Sequence, residues 1–276
     1  MKKIWKERKK DPEQMKKWKQ KLSQWGKMAT QKNIKQTFSP TPELSYVLGV
    51  IEGDGFVYTC KVKRRSSSQP PYEQNIVELI VKDKEFAEEF SEAVKATINT
   101  KTRMTKTKRK SDWGTGEYYV VRTYSSPFVK WYKALTKQQL TTHIEKSGKK
   151  GIASFIRGFF DSDGTAYFKR NPVTKISPDT GITLHTSAMQ RQIKIVKSDK
   201  QKILMLQHLL KNLNITTTIT MTDYNGKRKN MYQIRIIRAE SQVKFCKQIG
   251  SSIPRKAQTL KNILKWNLNH KQFWRK

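Results

Sequence analysis

Cysteine, acid and long apolar runs are all scarce in this chain. Cys60 and Cys246 are the only two cysteines in 276 residues. They lie far apart and neither belongs to a C-x-x-C pair, which excludes a cysteine-rich zinc module and points to a reducing compartment. No apolar stretch approaches the roughly 20 residues of a spanning helix, and the N-terminus lacks the apolar segment of a secretory leader. An intracellular protein is expected, in a prokaryotic cytoplasm or an organelle matrix, neither secreted nor in contact with a membrane. The shortage of acid is the strongest global signal: 22 Asp and Glu face 57 Lys and Arg, a formal net charge of +35. Such an excess repels itself in a compact state unless a polyanion neutralises it, and nucleic acid is the commonest polyanion. A thermophile's ion-pair surface would mix the signs instead.

What is present is a repeat. Residues 47–55 read VLGVIEGDG and residues 156–164 read IRGFFDSDG. Aligned without gaps from Gly49 and Gly158 to Tyr58 and Tyr167, ten positions hold four identities: Gly49/Gly158, Asp54/Asp163, Gly55/Gly164 and Tyr58/Tyr167. Glu52/Asp161 keeps the charge. The likeness continues downstream. The strand Ile76–Lys82 and a helix from Lys84 to Thr97 correspond to the strand Gln192–Lys197 and a helix from Lys200 to Asn212. Thr-rich strands follow at 98–105 and 215–222, then YVVRT (119–123) and YQIRI (232–236), then VKWYK (129–133) and VKFCK (243–247). Each half therefore reads αββαββα with strands of period two. The motif acids are 109 residues apart, the length of one half. An α/β (α+β) protein of two pseudo-symmetric halves is expected, residues 41–150 and 151–276. Before them, residues 1–40 form a basic arm carrying 13 Lys and Arg. Within it Asp11, Pro12 and Gln14 start a helix that should run to Trp25 and stop at Gly26. Its stripe of Met15, Trp18, Leu22 and Trp25 suits packing. Ser39 to Pro42 reads as a flexible linker, with Thr41 and Pro42 opening the next helix.

In the motif, Gly49 and Gly53 lie four apart on one helix face, and Gly158 and Ser162 stand at the matching places. Small residues at that spacing let two helix backbones approach closely. Gly55 and Gly164 suit the left-handed position just past a helix end. Asp54 and Asp163 then fall at the helix C-terminus, where partial negative charge disfavours a carboxylate by about 0.3–1 kcal/mol. Stability alone would put lysine there. Repeating the unfavourable choice argues for function.

The two nonapeptides resemble the paired motifs of LAGLIDADG homing endonucleases in their single-chain form, and the resemblance runs from Leu44 to about Lys265. It implies two motif helices packed at the centre, with antiparallel sheets forming a saddle over duplex DNA. It also implies a monomeric, intron-encoded, metal-dependent endonuclease that cuts both strands and leaves short 3′ overhangs. Asp54 and Asp163 would be its metal ligands, with Gly53 and Ser162 beside them. Two adjacent carboxylates repel, and divalent cations, two or more Mg²⁺ with Mn²⁺ as a substitute, resolve the repulsion. Glu52 and Asp161 match the motif's earlier acid and read as helix-end structure. Lys82, its counterpart Lys197, and Lys256 in IPRKAQ before the last helix are the candidate basic groups near the metals. Four scattered histidines, His143, His185, His208 and His270, do not make a His-metal nuclease site.

Sheet residues facing one way would enter the major groove. The candidates in the first half are Lys61, Lys63, Arg65, Lys101, Arg103, Lys106, Lys108 and Lys110. In the second half they are Lys169, Arg170, Lys227, Arg228, Lys229 and Arg235. Arginines suit guanine and lysines suit phosphate. The alternative reading is an RNA maturase, with intron RNA as partner on the same fold. A non-catalytic regulator would be expected to have lost Asp54 or Asp163.

Overall fold

The computed structural model describes residues 38–63, 71–98, 100–111, 114–176, 183–223 and 229–270, with a few helical residues between 13 and 24. Each half opens on its motif helix: α1 (Pro42–Glu52) in the first and α5 (Gly148–Asp163) in the second. The first half continues with β1 (Phe56–Val62), β2 (Tyr72–Val81), α2 (Lys84–Ile98), β3 (Thr102–Ser111), β4 (Gly114–Tyr124) and α3 (Ser126–Ala134). The second continues with β5 (Gly164–Ile176), β6 (Thr183–Lys197), α6 (Lys200–Asn212), β7 (Thr218–Thr222), β8 (Met231–Ile236) and α7 (Ala239–Gln248). One further helix closes each series, α4 (Lys137–Lys146) and α8 (Pro254–Asn269). Both sheets are four-stranded and antiparallel with the same order, β1-β2-β4-β3 and β5-β6-β8-β7. The expected αββαββα halves are therefore present.

Local chemistry explains the boundaries. Thr41 caps α1 by accepting from the Leu44 amide at 3.1 Å, with Pro42 in the first turn. Asp199 caps α6 by accepting from the Gln201 and Lys202 amides. A capping box formed by Thr136 and Gln139 starts α4. α2 is amphipathic: Phe86, Ala87, Phe90, Val94 and Ile98 are buried while Glu85, Glu88 and Glu92 face out. By contrast, α1 is buried from Leu44 to Glu52, because α5 lies against one side of it and α2 against another. One core runs through both halves, from Val77, Leu79 and Val121 of the first sheet to Ile193, Ile195 and Ile234 of the second. Each such side chain contributes about 1.5–3 kcal/mol by leaving water.

Sequence and structure differ at four places. β5 and β6 form one long hairpin, of which the expectation held only the strand Gln192–Lys197, because the Thr, Ser and His residues before it give no apolar alternation. α4 was not foreseen. Phe38 is buried against Phe128 and Trp131, with ring centroids 5.3 and 5.0 Å away, so the chain is anchored immediately before the segment expected as a flexible linker. Among the described residues the glycines with positive φ are Gly148 (69°) and Gly250 (67°), not Gly55 and Gly164. Gly164 has φ −79° and ψ 151°; a Cβ there would overlap the Phe160 ring, so close packing rather than left-handed backbone requires glycine. In the arm, the described residues 13, 15–18, 20, 21, 23 and 24 are helical, with Met15 and Trp18 half-buried. Asp11, Pro12, Gln14, Leu22, Trp25 and Gly26 lie outside the described residues.

The centre of the fold is the crossing of α1 with α5. A Cβ on Gly49 would overlap the Phe155 carbonyl oxygen, and one on Gly158 would overlap that of Tyr46. The neighbours are backbone, so neither can step aside. A Cβ on Gly53 would collide with the Ser162 side chain, and nearer the start of both helices Ser45 meets Ser147 by a 3.0 Å hydrogen bond. Overpacking a fixed contact of this kind costs about 1–3 kcal/mol or more. Gly49→Ala and Gly158→Ala should each lower the melting temperature by several degrees, whereas Gly148→Asn, at an open left-handed site, should lower it far less; thermal unfolding followed by circular dichroism measures this.

Candidate active site and nucleic-acid face

The glycine contact brings the ends of the two motif helices together. Asp163 is the last residue of α5, and Asp54 lies two residues beyond the end of α1. The carboxylates sense each other: the negative charge of Asp54 helps raise the pKa of Asp163. Burial is the larger cause of that rise, and the Lys197 ammonium opposes it. Lys197 reaches in from the end of β6. Its Nζ lies 2.6 Å from Asp163 Oδ2 and donates to the Gly53 carbonyl at 3.3 Å. Asp54 is exposed and makes no hydrogen bond or ion pair among the described residues.

Both helix ends are capped by lysines from elsewhere. Lys202 donates to the Glu52 carbonyl at 2.8 Å and pairs with its carboxylate at 2.9 Å. Lys256 donates to the carbonyls of Phe160 and Asp161 at 2.8 and 2.7 Å. These cations offset the partial negative charge that the helix ends carry. Lys256 lies inside the first turn of α8, not before that helix, and is buried. Burial lowers its pKa from the ordinary 10.5 to about 8, against the pull of Asp161. Glu52 and Asp161 are buried and satisfied within the protein. Glu52 accepts from Tyr132 at 2.5 Å, and Asp161 from Tyr46 (3.2 Å), Ser251 (2.5 Å) and Ser252 (2.7 Å). Burial, followed by the facing carboxylate, raises the pKa of both tyrosines, so both remain donors.

A divalent cation fits part of this arrangement. Asp163 Oδ2 is buried and, the Lys197 ammonium apart, has no partner among the described residues. The Gly53 carbonyl and the Asp163 carboxylate converge on one ammonium, an oxygen pair that a hard cation also accepts. The Ser162 hydroxyl, by contrast, donates to the Gly158 carbonyl at 3.1 Å inside its own helix. Among the described residues no three His, Cys, Asp or Glu gather around one point, so the protein alone does not complete a coordination shell.

Strand register corrects the pairing of Lys82 with Lys197. Tyr119 pairs with Val81 as Tyr232 pairs with Lys197, so the residue equivalent to Lys197 is Val81, which is buried. Lys82, one place on, points to the other side and sits over the Tyr118 ring at 5.4 Å. It is not in the cluster around Asp163.

Register also sorts the candidate DNA contacts. One face of each sheet packs on the helices, through Val57, Val77, Met104 and Val121 in the first and Ala166, Ile193, Ile219 and Ile234 in the second. The other face is open. Arg103, Lys169 and Arg235 lie on the open face. Lys61, Lys106 and Lys108 fall on the helix side instead, because β1 and β3 run without interruption and the pleat alternates strictly. Lys106 pairs there with Glu117 at 2.7 Å. Lys63, Lys101 and Lys229 are exposed just outside strands. Lys110 and Arg170 are placed by backbone alone, and Arg65, Lys227 and Arg228 lie outside the described residues. Sequence reasoning missed Arg109, Arg122 and Lys194 on the open face, and Lys202 at the helix end. Arg122 had a signal, since it holds the same place in YVVRT as Arg235 in YQIRI.

Residues 150–250 match the family described as the LAGLIDADG-like domain. An uncharacterised protein of Methanocaldococcus jannaschii is 32% identical over 144 residues, covering 50% of this chain; the chain spans about half (48%) of that relative's length. Among solved structures, the homing endonuclease I-DmoI in complex with DNA and Ca aligns with TM-score 0.52 at 19% identity, over 80% of this chain and 97% of that one. The I-LtrWI LAGLIDADG homing endonuclease bound to target DNA aligns with TM-score 0.53 at 10% identity, over 84% and 91%. At these identities the structural likeness is one of fold. No helix among the described residues is long and apolar enough to cross a membrane.

The depressed pKa of Lys256 has a stability signature. The unfolded chain binds its proton up to about pH 10.5 and the folded chain only to about pH 8, so folding is penalised below pH 8 and the penalty fades as pH rises through that window. The melting temperature of the parent should gain on that of Lys256→Met between pH 8 and 10, and parallel pH profiles would contradict the assignment.

Proposed function

We propose that this chain, whose second half is a LAGLIDADG-like domain and whose two halves share the fold of single-chain LAGLIDADG homing endonucleases, is a site-specific endonuclease of double-stranded DNA. The observation that carries the reading is the convergence of Asp54 and Asp163 at adjoining helix ends, on a chain of net charge +35, with Lys197 on Asp163, Lys202 on Glu52 and no cation paired with Asp54 among the described residues. A scaffold that served stability alone would pair or delete that acid. Each carboxylate would serve one DNA strand, and Asp163, Asp54 and the Gly53 carbonyl would hold the divalent ions, Mg²⁺ first and Mn²⁺ as a substitute. Bound there, such ions polarise the scissile phosphate and make water a stronger nucleophile.

The protein's own groups have separate tasks. Lys197 holds the Asp163 carboxylate in place until DNA and ions arrive, then is free to face phosphate. Lys202 and Lys256 keep the helix ends fixed, so that the acids do not drift apart. The open sheet faces supply the basic surface for the duplex, and both strands are cut with short 3′ overhangs. The same surface would serve intron RNA in a maturase, but the unpaired Asp54 has no use in that role, so cleavage is the better reading.

Asp54→Asn and Asp163→Asn should each keep DNA affinity within about threefold while lowering strand cutting by 10²-fold or more, the effect expected on losing an electrostatic group at a reacting centre. Plasmid-library cleavage with Mg²⁺ measures this, and undiminished cutting of both strands by either variant would refute the reading. If roughly ten phosphates are neutralised, log affinity should fall against log salt with a slope of about −9. A slope shallower than about −4 would leave no room for contacts spread over both sheets.

A further inference from the structure

The open faces carry one pair of equivalent arginines. Across the first sheet the residues opposite one another are Phe56, Glu78, Arg122 and Arg103. The same row in the second sheet is Thr165, Lys194, Arg235 and Thr218. Arg122 and Arg235 thus occupy the same site in the two halves, while every other member of the row has diverged. Each is also held by the same edge. The Nε and Nη2 of Arg122 both donate to Glu78 Oε2, and Glu78 keeps only 8% of its side chain exposed against 38% for Arg122. With the Gln192 amide turned so that its oxygen meets donors, as the hydrogen-bond network requires, Nε and Nη2 of Arg235 both donate to it at 2.8 Å. Different neighbours therefore produce one result. The side edge of each guanidinium is fixed on the open face; the Tyr124 hydroxyl is a further neighbour of Arg122, and the outer edge, with N–H groups from both terminal nitrogens, is the part left for a ligand.

A guanidinium locked in that way is a rigid two-pronged donor. Guanine is the base that offers two acceptors, O6 and N7, at the matching spacing in the major groove. Lysine could not replace it, having no planar fork. Simple phosphate binding gives no reason to bury Glu78: an acid on a DNA-facing surface weakens attraction to phosphate, so its presence must serve orientation.

We propose that Arg122 and Arg235 are guanine readers, one in each half, with Glu78 and Gln192 as their positioning residues. The inference rests on the DNA-binding part of the function proposed above, and does not require that the strands be cut. Since the two halves are related by a pseudo-twofold, the guanines lie on opposite strands at equal distances from the centre of the target. The target is then symmetric at that one position even where the rest of it is not, as the divergence of Glu78 from Lys194 and of Arg103 from Thr218 requires.

The test is selection of randomised duplexes by binding to the full chain in EDTA, so that recognition is scored whether or not cleavage occurs. The expected site contains two dyad-related guanines on opposite strands. Arg122→Gln should erase the preference at one and Arg235→Gln at the other, each weakening binding to the parent site by about 5- to 150-fold. Affinity for random duplex should change by no more than about threefold. Glu78→Gln should narrow the guanine preference at the Arg122 position and leave the other untouched, a split that loss of fold would not produce. The Glu78→Gln/Arg122→Gln double variant leaves no buried unpaired acid and should lose the same guanine as Arg122→Gln. The proposal is overturned if the selected site lacks the paired guanines, or if the arginine variants weaken parent and random duplexes alike, which is the behaviour of phosphate clamps. Failure to enrich any sequence over random would overturn both this inference and site-specific recognition. Failure to cleave an enriched site would remove the nuclease reading alone.

Discussion

Everything in this protein depends on two backbones touching. Where α1 crosses α5, Gly49 and Gly158 leave no room for a Cβ, and the atoms they meet are carbonyl oxygens of the opposite helix. That contact sets the separation of the helices, and hence of their C-termini, at a value that side-chain packing could not reach. It also creates an electrostatic problem. Two helix ends with partial negative charge meet, each carrying two acids. Glu52 and Asp161 are buried and satisfied by tyrosine and serine hydroxyls, with Lys202 added on the first. Lys197 and Lys256 meet other oxygens of the same cluster. Asp54 is left exposed and without a partner among the described residues, and Asp163 keeps a raised pKa despite its lysine. The site is what remains after the fold has neutralised all it can.

That neutralisation crosses between the halves. Lys197 and Lys202 belong to the second half but bond the end of α1 in the first. Arg255 of α8 pairs with Asp83 after β2, and Lys137 of α4 pairs with Asp199 before α6. Exposed pairs such as these contribute little each, about 0–1 kcal/mol. The partly buried lysines do more, because each hydrogen-bonds a helix carbonyl that has no partner in its own helix. The first half depends on the second to cap its motif helix, whereas the second meets Asp163 with its own Lys197.

The sequence carried the frame of this arrangement and lost its details for identifiable reasons. Glycines spaced by four, an acid where a lysine belonged, and the same strand-helix order following twice were enough for the helix pair, the two sheets and the two acids. The side to which each strand residue points was not legible in β3, where TRMTKTKRK alternates threonine with cations and offers Met104 as the lone apolar marker of phase. Ending the expected strand at 105 breaks the phase of every later residue, which is how Lys106 and Lys108 came to be expected on the DNA side and Arg109 was passed over. The β5–β6 hairpin is hidden for a related reason, since the residues of its outer part do not alternate apolar with polar in one phase. Lys202 could not be found at all from local pattern: it looks like one more lysine on a helix, and only the tertiary fold aims it at Glu52.

The halves are copies in topology and unequal in chemistry. Asp163 is partly buried and matched by Lys197; Asp54 is exposed, and the position equivalent to Lys197 holds Val81. A duplicated fold diverges first where symmetry confers nothing, yet this difference sits at the two acids, the most similar part of the sequence. Valine at the end of β2 removes the cation that would have gathered the first carboxylate inward. The first acid is thereby held by its backbone alone and open to solvent, whereas the second is already paired with a lysine. Equal acids in unequal surroundings differ in charge and access, so under the proposed function the retained symmetry of the motif and the lost symmetry around it would make the two strands of a bound duplex chemically distinguishable.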